Sequence, residues 1–227
     1  AAAHAGVHSI EHCSWVDSSG RWGQYDETVV ERIARGGIFV CPTIGAGWAR
    51  QPGLQAAQSP ALHHMRAAGV RIVASSDSGA IPNLQHHRLS DGIVVLARCA
   101  GMTHAEALRS ATSEAAAACG IEADVGMLAE GMIADLVVFR GNPLETLELI
   151  CAPPLAVVSR GIMAAPCPGP PRHGGGAKKP VWVRMGLNFG RAGGEASAAD
   201  DATVQAEALA VKAELGASAF CVCNTML

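Results

Sequence analysis

Short apolar runs alternate with amphipathic stretches over the first hundred residues. Ser9 to Cys13 reads as a strand. Glu27 to Gly36 sets Thr28, Val29, Val30, Ile33 and Ala34 among charges, the spacing of an amphipathic helix ending at Gly36-Gly37. Ile38 to Thr43 predicts a buried strand stopped by Pro42, and Val70 to Ser75 a second continuous β-branched run. Between them, Gly45 to Pro60 is rich in glycine, proline and glutamine without a period and predicts a loop; Ala61 to Gly69 predicts a helix. Strands this apolar, separated by helices, are covered on both faces. The pattern therefore predicts an α/β fold of parallel βαβ units.

Leu89 to Gly120 reads as helical, with Thr103 and Glu106 in a capping-box pattern ahead of Ala107, Leu108, Ala111 and Ala115. After Gly120 the pattern changes. Gly126 to Phe139 is a turn-rich approach to a strand and Ala156 to Ser159 reads as another, which suits a small β-layer. Pro166 to Lys179 has no apolar period and predicts a linker, and Thr203 to Leu215 carries Val204, Ala208, Val211 and Leu215 on one helical face. The expected organisation is residues 1–120, then a β-rich segment over 121–163, then 164–227 as linker and helix. Ala1 to Gly6 has no initiator Met and reads as the last turn of a helix closed by glycine, so the chain is expected to have lost its beginning.

Composition narrows the function classes. With 49% hydrophobic and 16% charged residues, a buried core is affordable and general disorder is excluded. The net charge of −3 is spread along the chain without a basic block, so nucleic acid is not an expected partner. No apolar run approaches the roughly 18 residues that span a bilayer, so no membrane partner is expected. The eight cysteines are scattered, several in apolar stretches, which favours reduced thiols and a cytoplasmic location over a disulfide scaffold. Cys221-Val222-Cys223 is too closely spaced for a zinc knuckle.

Two residues just past predicted parallel strands are candidates for chemistry: His12, after Ile10-Glu11, and Asp77, after Ile72 to Ser76. Loops at the carboxyl ends of parallel strands converge on one face, where function gathers. Imidazole and carboxylate suit zinc and similar divalent ions, and a carboxylate can take a proton from attacking water. Pattern alone leaves each residue open to a plainer role, His12 as a hydrogen-bonded rim residue and Asp77 as a turn or helix cap.

Four ordered motifs go further. Ala5-Gly6-Val7-His8-Ser9-Ile10-Glu11-His12 resembles the sixth-strand region of the amidohydrolase superfamily, and Ala68 to Gly79 resembles the eighth strand with its Asp. Ala100 to Thr112 is similar to the helices that follow, and Gly126 to Phe139 with Gly141-Asn142-Pro143-Leu144 resembles the return into a small β-sandwich. Pro42-Thr43 is similar to the seventh-strand ending of the imidazolonepropionase-related and Xaa-Pro dipeptidase-like branch. The resemblance implies the carboxy-terminal part of a (β/α)8 TIM-like barrel, strands six to eight, with remnants of a β-sandwich.

It also implies metal-dependent hydrolysis of amide or dipeptide C–N bonds, with a divalent metal, zinc, one or two ions in the complete enzyme. By position His12 would be a metal ligand and Asp77 both ligand and catalytic base, with His86 and His87 near the substrate. The implied substrate is a small amide, cyclic amide or dipeptide. The family's His-x-His, its fourth-strand bridging residue and its fifth-strand histidine have no counterpart in this sequence. Whether the chain is itself an enzyme therefore stays open. A catalytically silent chain, a homo-oligomer or a complementing amino-terminal chain, and a deaminase or decarboxylase on the same scaffold all remain alternatives.

Overall fold

The computed structural model describes residues 1–21, 24–79, 88–164 and 219–223. The expected linker and the helix over Thr203 to Leu215 lie outside the described residues, as do His86 and His87. The chain divides into two compact units, the first built mainly from Ala1–Glu122 and the second from Ala123–Asn224.

The first unit opens with α1 (Ala2–Ala5), closed by Gly6 in the left-handed conformation at φ 67°. Three parallel strands follow in the order β1 (Ser9–Glu11), β2 (Phe39–Cys41), β3 (Arg71–Ile72). Ser9, Ile10 and Glu11 stand opposite Phe39, Val40 and Cys41, and Phe39 and Val40 in turn face Arg71 and Ile72. All three β2 residues are buried, as a central parallel strand covered on both faces requires. Between β1 and β2 runs α2 (Glu27–Arg35), capped by the Asp26 carboxylate on the Val29 N–H and burying Val30 and Ile33.

The region between β2 and β3 departs from the expected loop. A 3₁₀ turn over Ala46–Arg50 leads into α3 (Pro52–Ala67), a helix of 16 residues. Pro52 sits in the first turn, where its missing N–H costs nothing, while Pro60 lies inside the helix. Tertiary bonds offset that defect. Gln55 Nε2 donates to the Trp48 carbonyl at 2.6 Å, and buried Gln58 donates to the Ser14 carbonyl at 2.6 Å. Composition suggested a loop because these glutamines look like surface residues, whereas they brace the helix from within.

After β3 come α4 (Leu89–Ala100), α5 (His104–Ser110) and α6 (Ser113–Cys119). Helix α5 carries the complete capping box: Thr103 Oγ1 accepts from the Glu106 N–H, and the Glu106 carboxylate accepts from the Thr103 N–H at 2.7 Å. Arg66 Nη2 donates to both oxygens of the same carboxylate, at 2.9 and 3.0 Å, tying α5 to α3.

The second unit holds an antiparallel sheet in the order β6 (Ile162–Ala164), β5 (Ala156–Ser159), β4 (Leu136–Arg140), β7 (Ala219–Cys223). Arg160 (φ 51°) and Gly161 (φ 76°) form the two-residue hairpin between β5 and β6, the left-handed pair that matches strand twist. The Cys221-Val222-Cys223 run lies in β7, in register with Val138, Val137 and Leu136.

Candidate active site

The carboxyl ends of the three parallel strands are built from unusual backbone. Six non-glycine residues among those described have positive φ, and five of them follow these strands: His12 (64°), Cys13 (41°), Trp15 (50°), Thr43 (53°) and Asp77 (50°). The His12 N–H donates to the Cys41 carbonyl at 2.8 Å, extending the β1–β2 ladder by one step. The Cys13 N–H then reaches back to the Glu11 carbonyl at 2.8 Å, which makes His12 the centre of a γ-turn in its rarer, strained form. Thr43 is a β-branched residue in the same region, a genuine outlier. Such strain persists only where surrounding structure holds it and gathers at functional sites.

Side chains link the strand ends. His12 Nδ1 and Thr43 Oγ1 lie 2.9 Å apart. The Thr43 N–H donates to Ser75 Oγ at 3.2 Å, and Ser75 is two residues before Asp77. His12 and Asp77 thus follow the outer two of three adjacent strands, β1 and β3, which at ordinary strand spacing run about 10 Å apart. Both are exposed. Ser76 and Ser78, on either side of Asp77, hydrogen-bond each other at 2.6 Å. Behind Thr43, Gly92 of α4 presses on the chain: a Cβ there would stand 2.0 Å from the Ile44 carbonyl oxygen.

The nearby thiols are not nucleophiles. Burial pushes Cys13 up to about 11. Burial first, then the neighbouring Glu11 carboxylate, pushes Cys41 up to about 12. Both stay protonated and inert at neutral pH. His63 and His64 belong to α3, His63 lying against Gly101 and His64 stacked on Tyr25 at 4.7 Å. Sequence pattern marked Thr43 and Ser75 only as strand endings and did not reveal the bonds that join them to each other and to His12.

The donor chemistry at the strand ends fits part of a metal centre. With Nδ1 taken by Thr43, His12 has Nε2 as its remaining donor, and Asp77 adds an exposed carboxylate. Among the described residues, no three His, Cys, Asp or Glu side chains come together to hold a metal ion. Among them, too, no helix is long and apolar enough to cross a membrane.

Several solved structures share the architecture of the chain. A prolidase complexed with N-methylphosphonate-L-proline matches at 28% identity with a TM-score of 0.58, covering 72% of this chain and 41% of its own. A Xaa-Pro dipeptidase with methionine bound in its active site matches at 25% identity, TM-score 0.57, with the same 72% and 41% coverage. The ochratoxinase of A. niger matches at 25% identity, TM-score 0.55, over 71% of this chain and 38% of its own. The chain thus spans about two fifths of the length of these relatives. Among curated proteins none matches. Family and neighbours together imply a TIM-barrel-type fold and the Xaa-Pro dipeptidase- and prolidase-like branch. The profile of the amidohydrolase family covers residues 2–163, well over half the sequence, and the chain belongs to that family.

Proposed function

We propose that this chain contributes strands six to eight of an amidohydrolase barrel and two groups of an active site that hydrolyses C–N bonds in small amides or dipeptides. The observation that carries the reading is the placement of His12 and Asp77. Both follow the carboxyl ends of strands in one parallel sheet, the two that flank β2; both sit on strained backbone, and one is anchored through Nδ1. In this reading His12 Nε2 and the Asp77 carboxylate would hold a divalent ion, most simply zinc. Such an ion, when bound, polarises a carbonyl and acidifies water. Asp77 takes the proton of the attacking water and returns it to the leaving nitrogen. Its exposure lets the carboxylate meet substrate directly. His86 and His87 follow Asp77 in sequence and are proposed as substrate contacts. Cys13, Cys41, Cys99 and Cys119 are free thiols, which favours a reducing compartment such as the cytoplasm.

Elemental mass spectrometry of the purified chain tests the assignment. Zinc should be present and should be lost in His12→Ala and Asp77→Ala, with Xaa-Pro dipeptide hydrolysis falling in step. Retention of metal by both variants would sink the roles given to these residues. A second reading is a chain that holds no metal alone and acts with a second copy or a complementing chain. It is favoured by the two-donor set, because a catalytic zinc takes three protein ligands. Metal bound only when a complementing chain is added would select it.

A further inference from the structure

We propose that Thr43 is a positioning residue that fixes the tautomer of His12, with Ser75 holding Thr43 in place. The role rests on the reading of His12 as a metal ligand; the tautomer itself does not. A neutral imidazole carries one N–H, and the nitrogen that keeps it is set by the hydrogen bond its partner makes. Thr43 Oγ1 lies 2.9 Å from His12 Nδ1, and a hydroxyl can accept as well as donate; in the proposed arrangement it takes the Nδ1–H and leaves Nε2 as the bare lone pair. A flexible loop could not hold that geometry, and this one is not free. Thr43 sits at φ 53° in a conformation a β-branched residue avoids. Its N–H is bound by Ser75 at 3.2 Å, and the next residue is wedged beneath α4, where Gly92 leaves no room for a Cβ against the Ile44 carbonyl. Strain retained where two independent contacts enforce it marks a residue whose placement matters. The chain from Ser75 through Thr43 to His12 also couples the imidazole to the loop bearing Asp77, so the two candidate groups share one scaffold.

The test is ¹⁵N NMR of the metal-free chain labelled at its 9 histidines, under alkaline conditions where imidazoles are neutral, with His12 assigned through His12→Gln. Wild type and Thr43→Ser should show Nδ1 protonated and Nε2 bare. Thr43→Val, which keeps the shape and removes the acceptor, should show a mixture of tautomers. Nε2–H in the wild type, or a tautomer unmoved in Thr43→Val, would overturn the proposal; the wild-type spectrum decides even if the valine variant does not fold. Zinc titration against a chromophoric chelator separates the two layers. Affinity should fall about tenfold to a hundredfold in Thr43→Val and recover in Thr43→Ser. If His12→Gln binds zinc as the wild type does, the ligand reading fails while the tautomer result stands on its own.

Discussion

The two units treat left-handed backbone in opposite ways. In the antiparallel unit the only such non-glycine residue described is Arg160, and turn geometry explains it. A two-residue hairpin needs positive φ, and the Arg160 N–H donates to the Asp135 carboxylate at 2.7 Å. In the parallel unit five such residues crowd the strand ends, where crossover connections of this length impose no such requirement. Strain with a topological cause belongs to folding. Strain without one, held by a helix wedge and a serine hydroxyl, points to the site.

The sharpest way to break this contrast is to loosen what holds the strained end. Gly92→Ala forces either α4 or the Ile44 carbonyl to move and should destabilise the chain by about 3 kcal/mol, read as a lower denaturant midpoint at unchanged slope. A change below about 1 kcal/mol would show that the wedge is not tight. Asp135→Ala removes the acceptor that serves the hairpin and should cost about 1 kcal/mol without affecting metal binding.

Acid should weaken the parallel unit selectively. The Thr103 N–H, then Arg66, then the Thr103 hydroxyl hold the Glu106 carboxyl down to about 2. A depressed carboxylate stabilises the fold above its unfolded pKa of about 4.3, and that contribution is lost as pH falls from there through 2. Both partners are about a third exposed, so water screens the pair and the effect is about 1 kcal/mol. The stability gap between wild type and Glu106→Gln should therefore close on acidification. The smallest effects come from relieving strain. Thr43→Gly relieves the left-handed penalty but adds glycine entropy and gives up the hydroxyl's contact with His12, so it should lose about 0.5 kcal/mol net, while Arg160→Gly should be near neutral. Equal changes at the two positions would erase the distinction between them.

Much of the framework was legible from pattern. The β2 run, the amphipathic spacing of α2, the α5 capping box and the strands at Leu136 and Ala156 all follow from local rules that tertiary context left intact. Helix α3 was not legible over its first half, because buried Gln58 and an internal proline read as loop residues until their partners are known. At the site, the positions of His12 and Asp77 after their strands followed from strand pattern and resemblance. Their linkage did not, since Thr43 and Ser75 meet across 32 residues of sequence through one backbone N–H. No periodicity encodes such a bond.

That bond carries one last implication. The Thr43 amide lies outside every strand ladder, and its hydrogen-bond acceptor is a side chain from beyond the end of another strand. Because the Ser75 hydroxyl shelters it, its exchange is slowed only while the strand ends stay locked together. A single amide thus serves as a built-in gauge of whether the site is assembled, readable in the resting protein with no substrate or metal present.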